Sequence, residues 1–173
     1  MKTFTIISTL LLVFFSALLI LGVLSASDSN VRVSGIVEAP QAVILKVLLD
    51  IENHNQWWTV IEEQEYTPET NSRRVIYSLG SRKVIMQEKI QYLPTENTLL
   101  FKQNDPIPRA HIQNWLMEIS LRDLADGNTE IIWQIHYQVK PIFVKVLNGV
   151  FLKPMLNSMI RKNIQSLKTF IER

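Results

Sequence analysis

Thirty residues close to the end of the chain, Ile142 to Ile171, limit what it can fold into more than any other stretch. In their second half Leu156, Ile160, Ile164, Leu167 and Ile171 recur at steps of four, four, three and four, with Met155, Met159 and Phe170 widening the stripe. Arg161, Lys162, Gln165, Lys168 and Thr169 take the other side, so the pattern predicts an amphipathic helix with a broad buried face. Pro154 would cost an uninterrupted helix about 3 kcal/mol, and with Gly149 nearby a kink or restart is expected there. The first half, IFVKVLNGVFL, is apolar nearly all round, so something besides water has to cover it. Between Asn30 and Val139 the chain reads as a sheet built to close around this helix.

Taken in order, Val31 to Val37 reads as a strand ended by Glu38, Ala39 and Pro40. Pro40 suits the residue just ahead of a helix, Gln41 to Asp50, whose Val43, Ile44, Val47 and Leu48 share a face. The following IENHNQWW reads as a polar turn, with His54 exposed and Trp57 plugging the junction of helix and sheet. Strands Arg73 to Leu79 and Lys83 to Leu93 meet at Gly80-Ser81, and Pro94 to Asn97 turns into a third, Thr98 to Gln103. After the stiff loop Asp105 to Arg109, two longer strands, Ala110 to Arg122 and Thr129 to Val139, join across Asp126-Gly127-Asn128, the strongest turn signal in the chain.

Phe4 to Leu24 carries no charge over 21 residues. As a helix it would rise about 31 Å, enough for a bilayer core and longer than the apolar stretch of a signal peptide. Residues 1–26 are therefore expected to form a transmembrane anchor or, with Ser25 and Ala26 as a cleavage site, a signal segment; residues 27–30 form a linker and 31–173 the domain. Lys2 favours a cytoplasmic N-terminus, which predicts a single-pass membrane protein with the domain on the extracytoplasmic side. The charge is unevenly placed: residues 140–173 hold seven basic side chains against Glu172 alone, a net +6, while residues 27–139 carry −5. That basic end suits anionic lipid headgroups or an acidic partner, and equally a solvated helix face beside an acidic sheet. An extracytoplasmic domain argues against nucleic acid as a partner. With no cysteine there is neither a disulfide framework nor a thiolate metal site.

The stretch VRVSGIVEAPQAVILKVLLDIENHNQWW resembles the opening of the START-related helix-grip (SRPBCC) superfamily, in particular its polyketide cyclase/dehydrase-like branch, with an added N-terminal membrane segment. The fit lies at Glu38-Ala39-Pro40, Asp50-Ile51 and Trp57; DGNTEIIWQIHYQV resembles the family's last strand and IQSLKTFIE its closing helix. The resemblance covers residues 31–173. It implies an α+β helix-grip fold in which a curved antiparallel sheet of about six or seven strands wraps a long C-terminal helix, with an apolar cavity between them. The superfamily includes lipid carriers, quinone-binding proteins, hormone receptors and aromatic cyclases, so the fold leaves the function open.

Strand alternation predicts which residues face that cavity. On the last strand Ile131, Trp133, Ile135, Tyr137 and Val139 point in and His136 points out. On its neighbour Trp115, Met117, Ile119 and Leu121 point in, and extending the set backwards adds Gln113 and His111 at the mouth. Earlier strands contribute Val75, Tyr77 and Leu79, then Val84, Met86, Glu88, Ile90 and Tyr92, of which Glu88 needs a partner. Candidate ligand-binding residues are Tyr77, Met86, His111, Trp115, Met117, Trp133 and Tyr137 on the strands and Phe151, Met155 and Met159 on the helix. Candidate acid/base residues are His111, Glu88 and Tyr77. There is no HExxH, no nucleophile elbow and no glycine-rich phosphate loop, so neither a metal nor another cofactor is expected. The favoured function is a membrane-tethered binding or carrier protein for a hydrophobic small molecule such as a lipid, quinone or polyketide-like compound. The alternatives are a cyclase or dehydratase acting in the same cavity, and an interaction module without ligand.

Overall fold

Seven strands and four α-helices make up the computed structural model, which describes residues 2–24, 28–79, 82–104, 112–140 and 142–172. The order is α1 (Lys2–Leu24), β1 (Asp28–Val37), α2 (Gln41–Leu49), a 3-10 helix (Ile51–Gln56), β2 (Ile61–Thr67), β3 (Ser72–Leu79), β4 (Arg82–Leu93), β5 (Thr98–Gln103), β6 (Ile112–Asp123), β7 (Thr129–Val139), α3 (Ile142–Leu147), a π-helical turn (Asn148–Leu152) and α4 (Lys153–Ile171). All pairs are antiparallel, in the order β1-β7-β6-β5-β4-β3-β2. From β2 to β7 each strand lies beside the next, and β1 closes the far edge against β7. The sheet is therefore a meander capped by its own first strand, as the helix-grip expectation requires.

The long C-terminal helix is present from Ile142 to Ile171, with the expected break taking the form of the π-turn ahead of Pro154. Leu156, Ile160, Ile164 and Leu167 are buried against the sheet, each contributing about 1.5–3 kcal/mol of apolar burial. At Gly35 on β1 a Cβ would lie 2.8 Å from Ile164 Cγ2, so only glycine lets α4 approach this closely. On β7 every second residue from Thr129 to Val139 is buried, with His136 on the outer face.

Some expectations change. β2 was not foreseen, and β1 begins at Asp28, so Asp28, Ser29 and Asn30 belong to a strand rather than to a linker. On α2 burial narrows to Ile44 and Leu48, with Val43 exposed. Gly80-Ser81, the loop Asp105 to Arg109 and His111 lie outside the described residues, although the Leu79–Arg82 pairing has the register of the expected hairpin.

The membrane placement is overturned. Among the described residues no helix is long and apolar enough to cross a membrane. The expected single-pass localisation with an extracytoplasmic domain, and the tether it implied, therefore lack a membrane span. Instead α1 lies against α3, within the apolar 142–152 stretch that needed cover.

Candidate functional site

The inner face of β3 and β4 carries a closed polar cluster. Alternation sends Arg73, Val75 and Tyr77 of β3 to one face, and the register sets Arg73 directly opposite Glu88 of β4. His54 arrives from the 3-10 helix, where three residues per turn align Ile51, His54 and Trp57 as its buried face. β2 adds Gln64 from the neighbouring edge.

Within the cluster Arg73 Nε donates to Glu88 Oε2 at 2.8 Å, and Nη2 donates to the Tyr77 hydroxyl at 2.9 Å. The Tyr77 O–H in turn lies 3.0 and 3.1 Å from the two Glu88 oxygens. Arg73 Nη1 reaches His54 Nδ1 at 3.0 Å and Gln64 Oε1 at 3.4 Å. His54 Nε2 lies 2.8 Å from the Leu48 carbonyl. This assigns the tautomer: Nε2–H donates to Leu48 and Nδ1 accepts from Arg73. The guanidinium sits 4.9 Å from the Trp58 ring centre and 4.4 Å from that of Phe101, a cation–π position on both.

Electrostatics follow from burial, since His54 and Glu88 are fully buried and Arg73 is 1% exposed. Burial, reinforced by the Arg73 charge, lowers the His54 pKa to about 3 against the opposing Leu48 bond, so the ring is neutral. Burial pushes the Tyr77 phenol well above its usual range, with Arg73 opposing and Glu88 adding. For Arg73 burial acts downward, but Tyr77 and Glu88 outweigh it and the guanidinium is raised further. The cluster is thus an ion pair with a neutral imidazole on one side and a protonated phenol on the other. Tyr77 could serve as a proton donor, but its hydrogen is already engaged by Glu88.

Two further side-chain pairings hold the helix to the sheet. Tyr137 donates to Asn148 Oδ1 at 2.7 Å and Asn148 Nδ2 donates to Ser29 Oγ at 2.7 Å, which ties the π-turn to β7 and β1. Burial pushes Tyr137 up to about 12, despite the bonds with Ser29 and Asn148. Asn163 Oδ1 on α4 accepts from the Thr59 amide at 3.2 Å and its hydroxyl at 2.7 Å. Among the described residues the buried donors without a hydrogen-bond partner are the indole N–H of Trp57, Trp58, Trp115 and Trp133, and Asn163 Nδ2. The one buried acceptor lacking a hydrogen bond among the described residues, Glu130 Oε2, faces Arg122 Nη2 in an ion pair at 2.5 Å.

The expected site residues fall into three groups. Tyr77, Met86, Trp115, Met117, Trp133, Tyr137 and Met159 are all buried, and Glu88 has the partner it needed in Arg73. Phe151 and Met155 are 65% and 41% exposed, which puts them on the surface rather than in the interior. His111 lies outside the described residues. Gln113 does not continue the inward set: the register shift between Gln113 and Leu116, with Asn114 at φ 53°, reverses the alternation. Gln113 pairs with Gln138 on the outer face, and Ile112 takes the inner position beside Val139.

Sequence reasoning missed Arg73, His54 and Gln64. Arg73 continues the alternation of Val75 and Tyr77, and the spacing of Ile51, His54 and Trp57 is that of a 3-10 face; these were the available signals. No group of three or more metal-ligating side chains gathers among the described residues.

The interior under β3 to β5 is filled. Trp58 meets Trp133 at 4.7 Å and Phe101 at 5.5 Å between ring centres, both edge to face, and Trp57 stacks on Trp58 at 5.4 Å. Near the start of β6, Trp115 keeps 8% exposure, as does Met159 on α4.

Comparison with known proteins gives the same frame. Residues 29–172 match the family described as polyketide cyclase / dehydrase and lipid transport. Among solved structures the chain is similar to the Zhui aromatase/cyclase from Streptomyces, with 13% identity, a TM-score of 0.73, and coverage of 84% of this chain and 94% of that one. It is similar to a START superfamily protein from Mycobacterium smegmatis, at 16% identity and a TM-score of 0.66, covering 83% and 97%. It is also similar to a major latex-like protein from Panax ginseng, at 11% identity and a TM-score of 0.65, covering 84% and 98%. No curated protein matches the chain.

Proposed function

The chain belongs to the polyketide cyclase / dehydrase and lipid transport family, and from that premise we propose that it binds an apolar small molecule bearing carbonyl or quinone oxygens, as a carrier and not as a catalyst. The observation that carries this reading is the Trp115 indole N–H, buried without an acceptor among the described residues on the ring that tilts against Tyr137; Trp57, Trp58 and Trp133 pack against one another in the filled interior. A buried donor left without an acceptor costs about 1–3 kcal/mol. A ligand rich in acceptors and poor in donors complements it; a saturated acyl chain does not. The place proposed for it is the start of β6, between Trp115, Met117 and Tyr137 on the sheet and Met159 on α4.

Catalysis is the second reading, and the Tyr77–Glu88–Arg73 cluster favours it, because a phenol held protonated beside a carboxylate can donate a proton. Full occupation of both Glu88 oxygens within the chain argues for a structural role instead. The test is tryptophan quenching of the full chain by a naphthoquinone, beside native mass spectrometry before and after solvent extraction. Saturable quenching, with a saturated fatty acid of equal size binding at least tenfold more weakly, is the expected result. Absence of both a retained molecule and saturable quenching would end the proposal.

A further inference from the structure

Outside the grip, β1 and the start of α4 enclose a groove of about 690 Å³. Its lining includes Arg32, Lys153 and Arg161 together with Asn30, Asn157 and Ser158, and no carboxylate. Lys83 pairs with Glu62, Arg122 with Glu130, and Lys168 with Glu38, whereas Lys46, Arg74, Lys89, Lys102 and Lys162 form no ion pair among the described residues and do not line this groove. The three groove cations form no ion pair among the described residues. Arg161 is nevertheless oriented, since its Nε donates to Asn157 Oδ1 at 2.9 Å, which leaves both Nη groups and the Asn157 amide without a described partner. The groove wall at Gly149 is open, with nothing within 4 Å of where a Cβ would lie.

We propose that this groove binds a compact polyanion, a phosphate or pyrophosphate group, between Arg32, Lys153 and Arg161. Guanidinium forks match phosphate oxygens in pairs, the ammonium of Lys153 adds a point charge, and Asn157 and Ser158 offer neutral donors. Size decides between anions. A protein partner of stable affinity covers roughly 800 Å² per side and about 20–30 residues, whereas this concavity is framed by nine. Residues 140–173 carry a net +6, and that segment supplies Lys153 and Arg161 to the groove. The site stands apart from the interior, so it holds or fails independently of the proposed apolar ligand.

The experiment is a titration of the full chain with inorganic pyrophosphate, followed by backbone amide shifts at constant ionic strength. Saturable shifts confined to residues around Arg32, Lys153 and Arg161 are expected, with binding about tenfold weaker in Arg161→Gln or Lys153→Gln and lost in the triple Arg32→Gln/Lys153→Gln/Arg161→Gln. Unfolding of each variant without ligand should match the parent, since these side chains are exposed or half-buried. A soluble short-chain phosphatidate distinguishes sources: tighter binding than pyrophosphate at the same amides assigns the phosphate to a lipid headgroup, and equal or weaker binding to a free phosphate ester. Shifts that follow ionic strength alone, or persist in the triple variant, would overturn the proposal. So would an acidic peptide that binds more tightly than pyrophosphate.

Discussion

The β3–β4 half of the interior and the tryptophan-lined remainder treat buried polar groups in opposite ways. Around Arg73 every ionisable side chain has its partner within the chain, down to the imidazole nitrogen that accepts from the guanidinium. The four indoles and the Asn163 amide have none among the described residues. The difference follows from magnitude. An unpaired buried charge costs about 3–5 kcal/mol, a large fraction of a domain's stability, whereas an unpaired neutral N–H costs about 1–3 and can be carried if a ligand later relieves it. The closed half reads as scaffold, and the open half, the one with unpartnered donors, is where the proposed ligand can be tested.

Breaking the closed half should give the largest effect. Arg73→Met removes the only cation beside Glu88 among the described residues and leaves it the Tyr77 hydroxyl, and is expected to lower unfolding stability by about 3–5 kcal/mol in urea titrations. Replacing both partners, as Arg73→Met/Glu88→Leu, should recover most of that loss, because an apolar pair of similar volume needs no compensation. If the double variant is as unstable as the single one, the pair is not the balanced unit described. Ligand retention by a stable double variant separates the two functional readings, since a carrier keeps its cargo and a catalyst loses turnover.

A smaller and graded effect comes from pH. His54 has a pKa of about 3 in the fold and an ordinary value of 6.5 once unfolded, so between those limits the unfolded chain binds the extra proton. Stability is therefore complete above about pH 6.5 and falls as the pH drops, by about 1.4 kcal/mol per unit within the window. Urea titrations from pH 7 to 4 should show that slope, and His54→Gln, which cannot titrate but can still donate to the Leu48 carbonyl, should flatten it. An unchanged slope would place the acid sensitivity elsewhere and remove His54 from the cluster's account.

What could be read from the sequence follows the same division. Period-two alternation put Tyr77, Met86, Glu88, Trp133 and Tyr137 on the inner face, because a strand buried on one side leaves a regular trace. The same rule passed over Arg73, since an arginine in a strand is read as solvent-facing by default although it sits opposite the carboxylate that needed it. His54 was hidden by its neighbours: Glu52, Asn53, Asn55 and Gln56 make the segment look exposed, while every third residue of a 3-10 helix turns inward. The Asn114 bulge is a backbone event, and nothing in hydrophobic patterning announces it. The edge strand β2, IEEQEYT, was missed because its charges serve an edge, where one face and one rim remain in water.

The smallest effect tests the open half directly. Replacing tryptophan throughout by benzothienylalanine keeps the bicyclic ring and puts sulfur where the N–H was, so packing of the four rings is preserved while four donors vanish. Removing an unpartnered buried donor leaves nothing behind to desolvate, and stability without ligand is expected to stay level or to rise by up to about 1 kcal/mol per ring. Binding of a naphthoquinone should weaken by about two- to tenfold for each hydrogen bond lost, read by native mass spectrometry because the indole signal is gone. If stability falls by several kcal/mol instead, the indoles already have acceptors or ring faces as partners in the fold. The contrast between the two halves would then be one of partner type, with no capacity held open for a ligand.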